Sequence, residues 1–176
     1  MVRHLFLLRH GKSAWPEGVS DHQRPLAPRG ELAVPLMAKK LRSLSEEIDL
    51  ALVSDARRTQ ETFAKVAGII PDLVPKLEPT IYEAQPGTLL SLVQGLPIFV
   101  RTALLVGHNP GFHALSLYLA DGARSDADAL RRLERKLPTA GLVHLEFSTP
   151  WDEIGPGSAR LAHYVTPAML GGIDED

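Results

Sequence analysis

Cysteine is absent from all 176 positions, and that omission removes disulfides, thiolate nucleophiles and zinc sites with sulfur ligands from consideration. An excess of either charge is missing too. The chain carries 19 Lys and Arg against 21 Asp and Glu, a net charge of −2, so no bulk field exists to hold nucleic acid or an anionic membrane. Any anion must be held locally. No apolar run reaches the roughly 20 residues that cross a bilayer, and no small-residue cleavage site follows the short apolar stretch after Met1-Val2-Arg3-His4. A cytoplasmic protein with no membrane or nucleic-acid partner is the expectation. Repeats and low-complexity tracts are lacking, and the acidic Asp174-Glu175-Asp176 end reads as a frayed terminus.

What is present suffices for a core. Hydrophobic residues make up 44% of the chain, and its length suits one domain over 1–176. The run Leu5-Phe6-Leu7-Leu8 stops abruptly at Arg9-His10-Gly11, as a buried strand does when it feeds a functional loop. A polar, proline-bearing stretch, Ala14 to Pro28, reads as a loop. Ala33, Met37, Leu41 and Leu44 then recur at helical spacing. Pro35 lies inside that pattern, so a kink or a later helix start is expected.

Asp49 to Val53 reads as a second strand, with Ser54 or Asp55 capping a helix that runs to about Gly68. Pro71 to Pro79 reads as a connector, Thr80-Ile81-Tyr82 as a short extended piece and Thr88 to Gln94 as a helix. Thr102 to Val106 is the third clear strand. It leads through Gly107-His108-Asn109 into a helix from Pro110 to about Ala120, with Asn109 as cap. A short helix from Ala129 to Lys136 precedes strands Leu142 to Phe147 and Ala159 to Val165. This alternation predicts a three-layer α/β/α domain with a largely parallel central sheet, the last two strands pairing antiparallel at one edge.

In such a sheet ligands bind beyond the carboxyl ends of the strands. Three strands end there in Arg9-His10-Gly11, in Ser54-Asp55-Ala56-Arg57-Arg58 and in Gly107-His108-Asn109. Arginine forks match phosphate oxygens, and helix N-termini after the second and third strands add N–H groups. The set suits a dianion. One histidine can attack phosphorus while the other, protonated, holds an oxygen whose charge develops in the transition state.

Arg9-His10-Gly11, Ser54-x-x-Arg57-Arg58-Thr59-x-Glu61-Thr62 and Gly107-His108-Asn109-Pro110 together resemble the histidine phosphatase (phosphoglycerate-mutase-like) superfamily. The short chain and Asp21-x-x-Arg24-Pro25-Leu26, continuing to Arg29-Gly30, resemble its SixA-type phosphohistidine phosphatase branch. The resemblance implies that His10 is the phosphoryl acceptor and that Arg9, Arg58 and His108 complete the phosphate pocket, with no metal and no cofactor. Gly11, Arg24 and Asn109 are further substrate-binding candidates, Arg24 equally suited to pinning its own loop. Arg58 is preferred to Arg57, which faces Glu61 at a spacing of four as a surface ion pair does.

Larger members of the superfamily place a proton-donating glutamate in an insertion for which this chain has no room. Glu83 and, behind it, Asp21 are the possible proton donors, with a solvated role as the plainer reading of Glu83. A phosphoramidate arrives protonated and needs less help, so protein phosphohistidine is the favoured substrate. A small phosphate ester hydrolysed at the same site and a phospho-partner held without turnover are the alternatives. His4, His113, His144 and His163 read as structural or exposed, and His22 as surface. Phe112, Leu115 and Leu119 read as core, while Lys12 and Ser13 stand beside the site.

Overall fold

A computed structural model describes residues 1–176. The apolar run becomes β1 (Arg3–Arg9), and its alternating side chains are buried on both faces of a sheet. Leu5 and Leu7 join one core cluster, whereas Phe6 and Leu8 join the other. That two-sided burial explains why the sequence shows no polar alternation here.

The remaining elements are α1 (Pro28–Leu44), β2 (Leu50–Val53), α2 (Arg57–Ile69), β3 (Pro75–Leu77), α3 (Pro86–Gln94), β4 (Thr102–Gly107), α4 (Gly111–Leu119), α5 (Ala127–Arg135), β5 (Leu142–Phe147) and β6 (Ala159–Val165). Six strands form one sheet in the order β3-β2-β4-β1-β5-β6. β1, β2, β3 and β4 pair in parallel, while β5 runs antiparallel to both β1 and β6. Side chains of α1 and α2 pack in the cluster of Phe6 and Leu8, and those of α3, α4 and α5 in the cluster of Leu5 and Leu7. The architecture is the expected three-layer α/β/α with a mostly parallel sheet, and β5 and β6 form the antiparallel edge.

Local expectations fared unevenly. α1 starts at Pro28 and continues through Pro35 as one helix, rather than beginning later. Its buried face includes Val34, Met37 and Leu41. Burying three such side chains is worth about 1.5–3 kcal/mol each, which outweighs the roughly 3 kcal/mol that an interior proline costs. The connector after Pro71 contains the edge strand β3, whose three residues are all exposed. Pro79–Ile81 is a 3₁₀ turn instead of an extended piece.

Two caps also differ. Neither Ser54 nor Asp55 caps α2; Ala56 holds that position without a side-chain bond. Pro110 occupies the cap position of α4, and Asn109 Oδ1 accepts from the His113 N–H at 3.3 Å. The acidic end is docked rather than frayed. The Glu175 carbonyl accepts from the Thr139 N–H at 2.8 Å, and its side chain pairs with Arg29 at 2.5 Å.

Candidate active site

β2, β4 and β1 are neighbours in the sheet, so their carboxyl ends deliver His10, His108 and the start of α2 to one place. A cavity of about 220 Å³ opens there, lined among others by Arg9, His10, Arg24, Arg58, His108 and Asn109. The end of β1 is clamped on both sides. The His10 N–H donates to the Gly107 carbonyl at 3.0 Å, and the His10 carbonyl accepts from the Ala140 N–H at 2.8 Å.

His10 Nδ1 lies 2.7 Å from the Gly11 carbonyl oxygen. A carbonyl only accepts, so Nδ1 carries the proton and Nε2 the lone pair. This tautomer makes Nε2 the nucleophilic atom. Burial, with His108, Arg58 and Arg9 adding positive charge nearby, pushes the His10 pKa well below its ordinary value despite the carbonyl bond. The ring is therefore neutral.

His108 faces His10 with ring centroids 5.2 Å apart, and its Nε2 bonds the Ser54 hydroxyl at 2.8 Å. Burial, then Arg58, brings its pKa down to about 3. The charged form expected of this residue is thus not its resting form. A bound dianion would raise the pKa again, because opposite charge favours the imidazolium. His108 Nδ1, Arg58 Nε and Arg9 Nε are buried without a protein partner, leaving donor capacity for such an anion.

The two arginines of α2 divide as their spacing implies. Arg57 pairs with Glu61 at 3.0 Å on the surface, whereas Arg58 is buried and lines the cavity. Thr62 ties α2 to the loop after β1, its hydroxyl donating to the Arg58 carbonyl at 2.7 Å and accepting from the Gly11 N–H at 3.1 Å. That bond occupies the Gly11 donor. Gly11 is absent from the cavity wall and is a packing residue, since a Cβ there would stand 2.8 Å from Val34 and 3.2 Å from Gly30.

Asp21 is the hub of the rim. Its backbone carbonyl accepts from Arg58 at 2.8 Å, its Oδ2 accepts from Arg58 at 3.2 Å and from the Tyr82 hydroxyl, and its Oδ1 accepts from Arg24 at 3.1 Å. The Tyr82 bond first, and the arginines after it, hold the Asp21 pKa at about 2. Asp21 is therefore ionised at neutral pH and positions arginines rather than donating a proton. Glu83 is exposed, lies outside the cavity and sits at φ 55° on its turn.

Arg24 pins its own loop and also reaches the cavity wall. It is buried, it lines the cavity, and its Nη1 donates to Ser13 at 2.9 Å, closing the loop. Asn109 lines the cavity while donating to the Leu137 carbonyl at 2.8 Å. Sequence reasoning missed four participants. Ser54 is the partner of His108, Trp15 stacks on Arg24 at 3.5 Å, and Thr139 and Asp176 complete the wall. A lone tryptophan within the polar stretch Ala14 to Pro28 was the one available signal.

The arrangement thus holds a neutral imidazole with a free Nε2 lone pair beside guanidinium groups and helix starts. It defines a phosphoryl-handling α/β protein. Residues 5–93 match the model of the histidine phosphatase superfamily (branch 1), and the chain belongs to that family. An uncharacterized protein of Mycobacterium tuberculosis is 37% identical over 160 residues, which cover 91% of this chain and 99% of that one. Among solved structures, the putative phosphohistidine phosphatase SixA from Nakamurella multipartitia matches with a TM-score of 0.82 and 26% identity, over 95% of this chain and 97% of its own. The putative SixA from Agrobacterium tumefaciens matches with 0.76 and 28%, over 94% and 98%. The chain is a histidine-phosphatase-type hydrolase of the SixA-like branch.

Proposed function

We propose that this single domain removes the phosphoryl group from protein phosphohistidine through a covalent intermediate on His10. His10 Nε2 attacks phosphorus, a new N–P bond forms, and the P–N bond to the substrate imidazole breaks. Arg9, Arg58 and His108 hold the phosphoryl oxygens as charge shifts among them. Water then attacks the phosphorus of phospho-His10, releasing inorganic phosphate and restoring the neutral ring. No step calls on a metal or cofactor.

The observation that carries the choice of substrate is the state of the two nearby acids. Asp21 is held ionised by Tyr82, Arg58 and Arg24, and Glu83 is exposed outside the cavity. A phosphate ester needs a proton for its departing alkoxide, whereas a protonated phosphoramidate already carries one. The likeness to structures described as phosphohistidine phosphatases supports the same reading. The cysteine-free, nearly neutral chain suits a cytoplasmic setting.

The test is a comparison of kcat/KM for a phosphohistidine peptide and a panel of sugar phosphates, with chelator and with vanadate. The peptide is expected to be better by about a hundredfold or more, with no effect of chelator and inhibition by vanadate. A sugar phosphate turned over as well as the peptide would replace this substrate with a small ester.

A further inference from the structure

A second histidine group stands at the other end of β1. His4 lies six residues before His10, which in extended chain is about 20 Å. Strand pairing sets His4 opposite Glu146, Phe6 opposite His144, and His144 opposite His163. Directly paired residues share a face, so three imidazoles and a carboxylate gather on the side of the sheet that carries Phe6.

His4 Nδ1 lies 2.9 Å from His144 Nε2, and His144 Nδ1 lies 2.9 Å from His163 Nδ1. One ligand atom each from His4, His144 and Glu146 fall within 4.8 Å of one another. Phe6 stacks on the His144 ring at 4.2 Å and 14°, which fixes its orientation.

We propose that His4, His144 and Glu146 form a binding site for a divalent transition-metal ion of the imidazole-preferring class, exemplified by Zn²⁺. Two facing nitrogens at 2.9 Å share a single proton. The same pair suits an ion, because two nitrogens each about 2.1 Å from Zn²⁺ stand roughly 3.0–3.4 Å apart. His163 supplies what a ligating imidazole needs behind it. By accepting the Nδ1 proton of His144, it leaves the Nε2 lone pair directed at His4. On binding, the His4 proton moves to Nε2, and the ring stays neutral.

Glu146 provides the anionic ligand. Its Oε2 accepts from Arg160 at 3.1 Å, leaving Oε1 for the ion. The Arg160 charge opposes the cation, but that side chain is half exposed and free to swing into water. His163 is exposed and His4 half-buried, which gives the ion a way in from solvent.

The site joins β1 to β5 and is remote from phosphorus, so its expected effect is on stability. Zn²⁺ is titrated calorimetrically into the untagged protein, with melting temperatures measured alongside. Wild type is expected to bind one ion and to melt higher with Zn²⁺. His4→Gln and Glu146→Gln, both at half-buried positions, should each weaken binding by about tenfold or more, and His10→Ala should leave it unchanged. Binding that survives both substitutions, binding lost in His10→Ala, or no binding by wild type would overturn the assignment.

Discussion

The two ends of β1 each hold a pair of facing histidines, and their neighbours give them opposite tastes. At the carboxyl end, His10 and His108 are surrounded by Arg9, Arg58 and Arg24, with helix starts behind them. At the amino end, His4 and His144 face Glu146. The imidazoles alone do not decide what is bound. Guanidinium and backbone N–H groups make the first pair a place for a dianion, and a carboxylate makes the second a place for a cation.

The sharpest contrast is functional. His10→Ala is expected to lower kcat/KM by about 10⁴-fold or more, since it removes the acceptor atom itself. His4→Gln should leave kcat/KM within about twofold, because it touches no reacting group. Steady-state kinetics on a phosphohistidine peptide measure both, and comparable losses would erase the distinction between the two ends.

Arg58 and Arg57 sharpen the comparison inside one helix. Arg58→Ala should cost about 10²–10³-fold in kcat/KM, while Arg57→Ala, whose surface pair with Glu61 is worth about 1 kcal/mol or less, should cost little. Equal losses in the same assay would show that the buried arginine is not the phosphate ligand.

A smaller effect comes from the rim. Asp21→Asn weakens the hold on Arg58 and Arg24 and is expected to lower kcat/KM roughly tenfold, whereas Glu83→Gln should change phosphohistidine and ester turnover by less than about twofold. A selective loss on esters with poor leaving groups in Glu83→Gln would restore that residue as a proton donor.

Acid should affect both ends in the same direction. His108 and His144 titrate near 3 when folded, against an ordinary 6.5, because burial disfavours their charged forms. The unfolded chain therefore binds more protons between these values. Stability is full above pH 6.5 and is lost as pH falls through it, by roughly 1 kcal/mol per histidine for each pH unit. Denaturant melts at pH 7 and pH 5 read this directly. Vanadate should offset the loss at the His108 end alone, since an anion there favours the imidazolium.

Much of this was legible in the chain. β5 and β6 fall where apolar runs bounded by turn residues place them, β4 agrees within a residue, and β1 contains the run Leu5 to Leu8. The separation of Arg57 from Arg58 follows from helical spacing alone. What sequence could not supply was tertiary. The three-residue edge strand β3 is exposed and begins with proline, so no periodicity marks it. Ser54 reads locally as a helix cap, but it bonds His108, 54 residues away. The resting charge of His108 depends on burial and on Arg58, neither of which a motif displays. The His4, His144 and His163 group arises from strand register, which brings together residues up to 159 positions apart only once β1, β5 and β6 are aligned.

The most direct test of the central claim is to quench the enzyme during turnover of a phosphohistidine peptide and locate the phosphoryl group by mass spectrometry under alkaline conditions. An acid-labile phosphoryl group on His10, absent from His10→Ala, is the expected result. Turnover with no phosphorylated enzyme, or with the label on another residue, would contradict the account.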